Sequence, residues 1–181
     1  LIFLFDGDDM RDELVLLAQR TLDACLARKL KIVTAESCTG GLIAGALTEN
    51  AGSSRVFERG FVTYSNEAKH ELLGVPEAIL AAHGAVSAET AEAMALGALE
   101  RSRAQLALSV TGIAGPDGGS VDKPVGLVHF ALAQSDRPTL LVAKHFVPPK
   151  AKEFSRADVR RLTVLTGLQL LLEAAAPQLR A

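Results

Sequence analysis

The amino-acid sequence predicts an α/β layered fold with a mixed sheet, on three observations. Helix-type and strand-type patterns alternate in the order helix, strand, helix, strand, helices, strand, long loop, two strands, helix. Only "QSDRP" separates the last two strand patterns, too short for a parallel crossover, so those two must pair antiparallel. Finally, 181 residues of which 49% are apolar suffice for one domain with a real core.

The elements follow in order. Residues 11–29 read as a helix, because Val15, Ala18, Leu22, Cys25 and Leu26 recur at spacings of three and four; Cys25 is thereby a core residue. Residues 30–35 read as a strand, and 41–48 as a helix whose glycines suit close packing. In "RGFVTYS", residues 59–65, Phe61 and Thr63 alternate against Val62 and Tyr64, as on a strand. Asn66 is expected to cap the helix carrying Glu67, Lys69 and His70. Gly74 is its stop, and Pro76 starts the next helix. Ser87 begins "AETAEAMALGALERS", with Glu89 in the first turn, where the helix dipole favours an acid. Residues 105–110 form a strand that runs into "TGIAGPDGGS". Strands over 126–133 and 139–146 follow. A closing helix spans 154–172, with Val159, Leu162, Leu165 and Leu168 or Gln169 near one stripe.

Composition excludes several classes. A net charge of −2 and a pI near 6.1 leave no basic excess to neutralise a phosphate backbone, so no nucleic-acid partner is expected. Cys25 and Cys38 give neither a disulfide framework nor a metal-binding cysteine pair, which fits a reducing, cytoplasmic setting. "LIFLF" is too short for a signal peptide or a bilayer span, so no membrane role is expected. "DGDD", starting at Asp6, lacks the closing Glu of a calcium loop and reads as a solvated turn. No repeat or linker divides residues 1–181, which are taken as a single domain with a poorly packed start over 1–10.

Two strands run into small polar residues where an open α/β sheet gathers ligands: "AESCTGG" and "VTGIAGPDGG". If they are parallel neighbours, Ser37 and Thr111 face one crevice. The first stretch is open to three readings: a nucleophile turn, a phosphate cradle, or a well-capped helix start with Ser37 or Thr39 as N-cap. Free N–H groups there could hold an anion or an oxyanion, and Gly40 and Gly41 would let a ligand approach the backbone. The stretch matches neither the Gly-Lys-Ser/Thr phosphate loop nor Gly-x-Ser-x-Gly. His70, His83, His129 and His145 are scattered, and nothing marks one of them as a base. Lys69 can serve as base if burial lowers its pKa, with the Tyr64 hydroxyl passing or orienting a proton beside it. Cys38 is the rival nucleophile, since a helix N-terminus lowers a thiol's pKa. The ten-residue polar loop after the second strand is long for a turn and suits binding; Asp117 is read as holding its turn. Arg156 and Arg160, four apart, share a helix face and could clamp a phosphate, with Arg161 beside them.

"TAESCTGGLIAGALTENAGSSRVFERGFVTYSNEAKHELLGV", "HGAVSAETAEAMALGAL" and "SVTGIAGPDGGSVDKPVGLVHFA" together resemble the CinA carboxy-terminal domain family, the nicotinamide-mononucleotide deamidases. The resemblance is dense over residues 14–133 and looser over the final helix. It implies a three-layer α/β/α sandwich with a mixed, mostly parallel sheet. It implies hydrolysis of the carboxamide of nicotinamide mononucleotide to nicotinic acid mononucleotide and ammonia, with no metal or cofactor. It also implies a pyridine-nucleotide substrate and a homo-oligomer. Carried over by position, Ser37 matches the nucleophile, Lys69 the base and Tyr64 the tyrosine near it. Thr39 and Thr111 match substrate-contacting hydroxyls, and Arg156 and Arg160 the closing-helix arginines. Glu36 is expected near the cationic ring, and Cys38, Gly40, Gly41 and Gly112 along the substrate, with N–H groups of residues 38–40 holding the oxyanion. One stretch departs from the family: "HFVPPKAKEFSRADVRR" lacks the usual Gly-Asp-Arg ahead of that helix. The alternatives are a non-catalytic nucleotide-binding module or an interaction domain.

Overall fold

The protein is described by a computed structural model over residues 7–148 and 155–176. The apolar start, Asp6, Pro149 and Phe154 lie outside the described residues. The chain runs α1 (Gly7–Ala27), β1 (Ile32–Glu36), α2 (Leu42–Thr48), a short 3-10 turn, β2 (Phe57–Val62), α3 (Asn66–Leu73), α4 (Glu77–His83), α5 (Ala88–Glu100), β3 (Leu106–Gly112), β4 (Leu127–Gln134), β5 (Arg137–His145) and α6 (Arg156–Ala175). The five strands form one sheet in the order β2-β1-β3-β4-β5. β1 pairs parallel with β2 and β3, whereas β3–β4 and β4–β5 are antiparallel. The mixed sheet follows the short connection between its last two strands.

Alternation along the strands builds two cores. Ile32, Leu106, Leu108, Val128, Phe130 and Leu132 face α1, α2 and α6. Val33, Ala35, Ala107, Ala131 and Ala133 face α3 and α5. Helices thus cover both faces, in three layers. The second face is lined mostly by alanine, and α5 answers with Ala91, Ala95 and Ala98. Gly97 completes the close fit, since a Cβ there would collide with the Leu73 carbonyl at the end of α3.

Three expectations shift. The helix α1 starts at Gly7, so the last three residues of "DGDD" lie in a helix rather than in a turn. Ser65, not Asn66, caps α3, its side chain accepting from the Ala68 N–H at 3.0 Å. The buried stripe of α6 runs through Val159, Thr163, Gly167, Leu168, Leu171 and Ala175, while Leu162 and Leu165 are half-buried. Small residues decide that face. A Cβ at Gly167 would stand 3.0 Å from Leu108 and 3.2 Å from Ile43, and Thr163 satisfies its own hydroxyl on the Val159 carbonyl at 2.7 Å.

Candidate active site

The register places three strand ends together. Glu36 lies opposite Val62 on one side and Val110 on the other, so residues 37, 63 and 111 emerge at the carboxyl edge of the parallel part of the sheet. Ser37 is fixed by its N–H to the Val110 carbonyl at 3.0 Å, which continues the ladder one residue past the strand. Thr63 is fixed likewise by its N–H to the Glu36 carbonyl at 2.9 Å.

Lys69 enters from one turn into α3. Its side chain is 1% exposed and its Nζ lies 3.1 Å from Ser37 Oγ. The other neighbours of that nitrogen are carbonyls: Thr63 O at 2.9 Å, and Tyr64 O and Ser65 O at 3.5 Å each. No carboxylate pairs with it among the described residues. Burial therefore dominates and lowers the Lys69 pKa, against smaller upward contributions from Cys38 and Glu67. A neutral amine suits this cage, with two N–H groups for carbonyls and one lone pair for the serine hydroxyl.

The Glu36 carboxylate, expected near a cationic ring, is engaged by the start of α2. The residue is 1% exposed, and its carboxylate accepts from Thr39 Oγ1 at 2.7 Å and from the N–H groups of Gly41, Ile43 and Ala44 at 2.8–3.1 Å. It holds the start of α2, the task that one of the three sequence readings gave to Ser37 or Thr39. The cap position itself is Gly41, at φ 96° with no side chain to help, and Gly40 precedes it at φ 62°. Two left-handed glycines fold the turn back so that a carboxylate from the strand reaches the helix. Replacing Glu36 by alanine leaves three buried or half-buried N–H groups without an acceptor. We expect a loss of about 3 kcal/mol in urea unfolding; a loss below about 1 kcal/mol would show that water replaces the carboxylate there.

Other expected ligands are also occupied. The Thr39 hydroxyl is buried against Glu36, and the Thr111 hydroxyl, 1% exposed, donates to the Ala85 carbonyl at 2.6 Å. Neither faces the mouth of the site, since each ties a neighbouring segment to the sheet. Gly112 permits β3 and β4 to meet, because a Cβ there would stand 2.7 Å from Leu127 O. The Gly40 N–H closes a turn on the Ser37 carbonyl at 3.1 Å and the Gly41 N–H goes to the Glu36 carboxylate, which leaves the Cys38 and Thr39 N–H groups with no backbone carbonyl among the described residues. Cys38 itself does not become acidic. It is 6% exposed, and burial pushes its thiol up to about 11, outweighing the helping N–H and the Arg160 and Lys69 charges; nearby Glu36 pushes it further up.

The closing helix does reach the site. Arg156 donates to the Gly115 carbonyl at 2.8 Å and to the Tyr64 hydroxyl at 2.7 Å. Arg160 donates to the Thr39 carbonyl at 2.8 Å, and its Nε is buried without a partner among the described residues. Arg160 also borders a cavity of about 400 Å³ between α1, α2 and α6, behind the serine turn. Tyr64 approaches Lys69 only through its carbonyl, since its ring is exposed and its hydroxyl is engaged by Arg156. The proton relay expected of that hydroxyl is therefore not in place. Sequence reading missed the Thr63 carbonyl and the Gly115 carbonyl, because backbone acceptors carry no residue-type signal. Among the described residues, no group of three or more His, Cys, Asp or Glu is placed to hold a metal ion, and no helix is long and apolar enough to cross a membrane.

Comparison with known proteins agrees with this architecture. The CinA C-terminal domain profile matches residues 15–175. The nicotinamide-nucleotide amidohydrolase PncC of Escherichia coli K12 is 57% identical over 121 residues, 67% of this chain and 73% of that protein. A CinA-like protein of Geobacter sulfurreducens is 50% identical over 167 residues, 88% of this chain but 38% of its own length, so the chain corresponds to one part of such longer relatives. The crystal structure of the competence/damage inducible protein CihA from Agrobacterium tumefaciens superposes with a TM-score of 0.85 at 48% identity, covering 97% of this chain and 100% of that one.

Proposed function

This chain belongs to the CinA C-terminal domain family, and from that premise we propose that it hydrolyses the carboxamide of nicotinamide mononucleotide, with Ser37 as nucleophile and Lys69 as base. The observation that carries the reading is the 3.1 Å approach of Lys69 Nζ to Ser37 Oγ inside a buried cage of carbonyls. The name of the Escherichia coli relative supports the substrate class.

The reaction runs in two halves. Neutral Lys69 takes the Ser37 proton as Oγ bonds to the carboxamide carbon. The carbonyl π electrons move to oxygen, and the N–H groups of Cys38 and Thr39, which no backbone carbonyl takes among the described residues, meet that oxyanion. Lys69 is now an ammonium, and the carbonyls of Thr63, Tyr64 and Ser65 stabilise it while it lasts. Lys69 returns the proton to the departing nitrogen as the C–N bond breaks, giving ammonia and an ester on Ser37. Water then attacks that ester with Lys69 again as base, and nicotinic acid mononucleotide leaves. The substrate phosphate falls to Arg156, whose two acceptors here are both neutral and whose charge no carboxylate offsets among the described residues.

The test is ammonia release from nicotinamide mononucleotide by the purified chain, with the acid product measured in equal amount. Binding of the nucleotide without turnover would replace hydrolysis by a binding function. Cys38→Ala keeps most of the activity, since a thiol with a pKa of about 11 is protonated at neutral pH. A dead Cys38→Ala protein that still folds would move the nucleophile to the sulfur.

A further inference from the structure

Tyr64 invites a proton-relay role by its place in the sequence, but the structure gives its hydroxyl another partner. The hydroxyl accepts from Arg156 Nη2 at 2.7 Å, while Nη1 of the same guanidinium donates to the Gly115 carbonyl at 2.8 Å. One side chain on the first residue of α6 thus joins the β2–α3 junction to the β3–β4 loop. Its backbone is itself pinned, because Ser155 and Asp158 form a reciprocal capping box at that helix start. A guanidinium has five N–H donors in a rigid fork, of which two are used here among the described residues. Among the described residues three remain, on a group whose partners there are neutral oxygens. Tyr64 is also 61% exposed, so its ring and the fork it holds stand at the mouth of the site. Its carbonyl lies 3.5 Å from Lys69 Nζ, so the residue that aims the fork also borders the base.

We propose that Tyr64 is a positioning residue: its hydroxyl, with the Gly115 carbonyl, aims Arg156 as an anion fork over the Ser37–Lys69 centre, and so makes the site select phosphorylated over unphosphorylated pyridine amides. The inference rests on the amide-hydrolysis reading for its kinetic test but not for its binding test. Without the hydroxyl, Nη2 loses its acceptor and the exposed guanidinium gains rotational freedom, which weakens a two-point grip on a phosphate.

The experiment compares wild type, Tyr64→Phe, Arg156→Met and the double variant on nicotinamide mononucleotide and on its unphosphorylated riboside. Tyr64→Phe is expected to raise KM for the nucleotide about tenfold, equivalent to one decade of binding constant. The loss falls on KM rather than kcat, and KM for the riboside moves by no more than about twofold. The double variant is no worse than Arg156→Met alone, because the tyrosine acts through the arginine. The pH dependence of kcat keeps its midpoint, which a lost proton relay would shift. Equal losses on both substrates, a loss confined to kcat, or additive single effects would overturn the proposal. Titration of inorganic phosphate by calorimetry separates the two readings. If wild type releases no ammonia, the hydrolysis reading fails, yet phosphate binding that weakens in both single variants still upholds the fork. Phosphate binding unchanged by either substitution, or absent from wild type, sinks it.

Discussion

Ser37→Ala is expected to lower kcat for ammonia release by at least about 10⁴-fold, with nucleotide binding retained. The size follows from the chemistry. Without Oγ no ester can form, and the remaining route is direct attack of water on an amide, assisted by two N–H groups alone. Binding survives because the positive groups at the mouth, Arg156 above all, belong to other elements. Folding survives as well: Ser37 is held through its backbone N–H, and Lys69 Nζ keeps the Thr63 carbonyl at 2.9 Å. Rapid-quench measurement of ammonia, with calorimetry for binding, checks both halves. Residual activity within about tenfold of wild type would remove Ser37 from the nucleophile's role.

Lys69→Met carries the second large effect, a loss of about 10³-fold or more in kcat/KM. A lysine at its ordinary pKa of 10.5 is neutral in only about one molecule in 300 at pH 8, so an unperturbed lysine would be a poor base. Burial lowers that pKa, which raises the neutral fraction where the enzyme works. Wild-type kcat/KM is therefore expected to rise with pH and level off below 10.5. Stability has a matching slope. Between the lowered folded value and 10.5, the unfolded chain binds more protons than the folded one, so folding stability rises with pH across that window. Below the folded value both states are protonated and the buried ammonium weakens the fold. Methionine has similar length and no charge, so Lys69→Met abolishes the slope and leaves thermal stability near neutral pH unchanged or higher. A variant dead in catalysis yet at least as stable as wild type is the signature of a strained functional group. A destabilised Lys69→Met protein with near-normal activity would reverse the assignment.

Much of the site was legible because its chemistry lies in side chains at recognisable places. "AESCTGG" at a strand-to-helix junction drew attention to Ser37, and the position of Lys69 one turn into a helix after "RGFVTYS" made it the candidate base. The misreadings share a cause. Glu36 was expected near the cationic ring, but two left-handed glycines turn the backbone so that its carboxylate meets the start of α2. Thr39 and Thr111 were expected as ligands from the family resemblance, whereas their hydroxyls satisfy Glu36 and the Ala85 carbonyl in the interior. Cys38 was read from its helix N-terminus, but burial outweighs that field. The α6 stripe slipped because Thr163 and Gly167 count as non-core in a hydrophobic pattern, yet both are buried, and a Cβ at Gly167 would stand 3.0 Å from Leu108.

By itself, the sequence determined the layered order and the antiparallel last pair, and it offered Ser37 and Lys69 as candidates for the chemistry. These depend on local periodicity, connection length and side-chain chemistry, all of which are properties of short segments. Only the tertiary structure decided that Ser37 and Lys69, 32 residues apart, stand 3.1 Å from each other, and that Arg156 engages Tyr64 across 92 residues. Parallel strand register and helix packing set such distances, and burial sets the protonation states. Both arise from how the whole chain excludes water, which no single segment encodes.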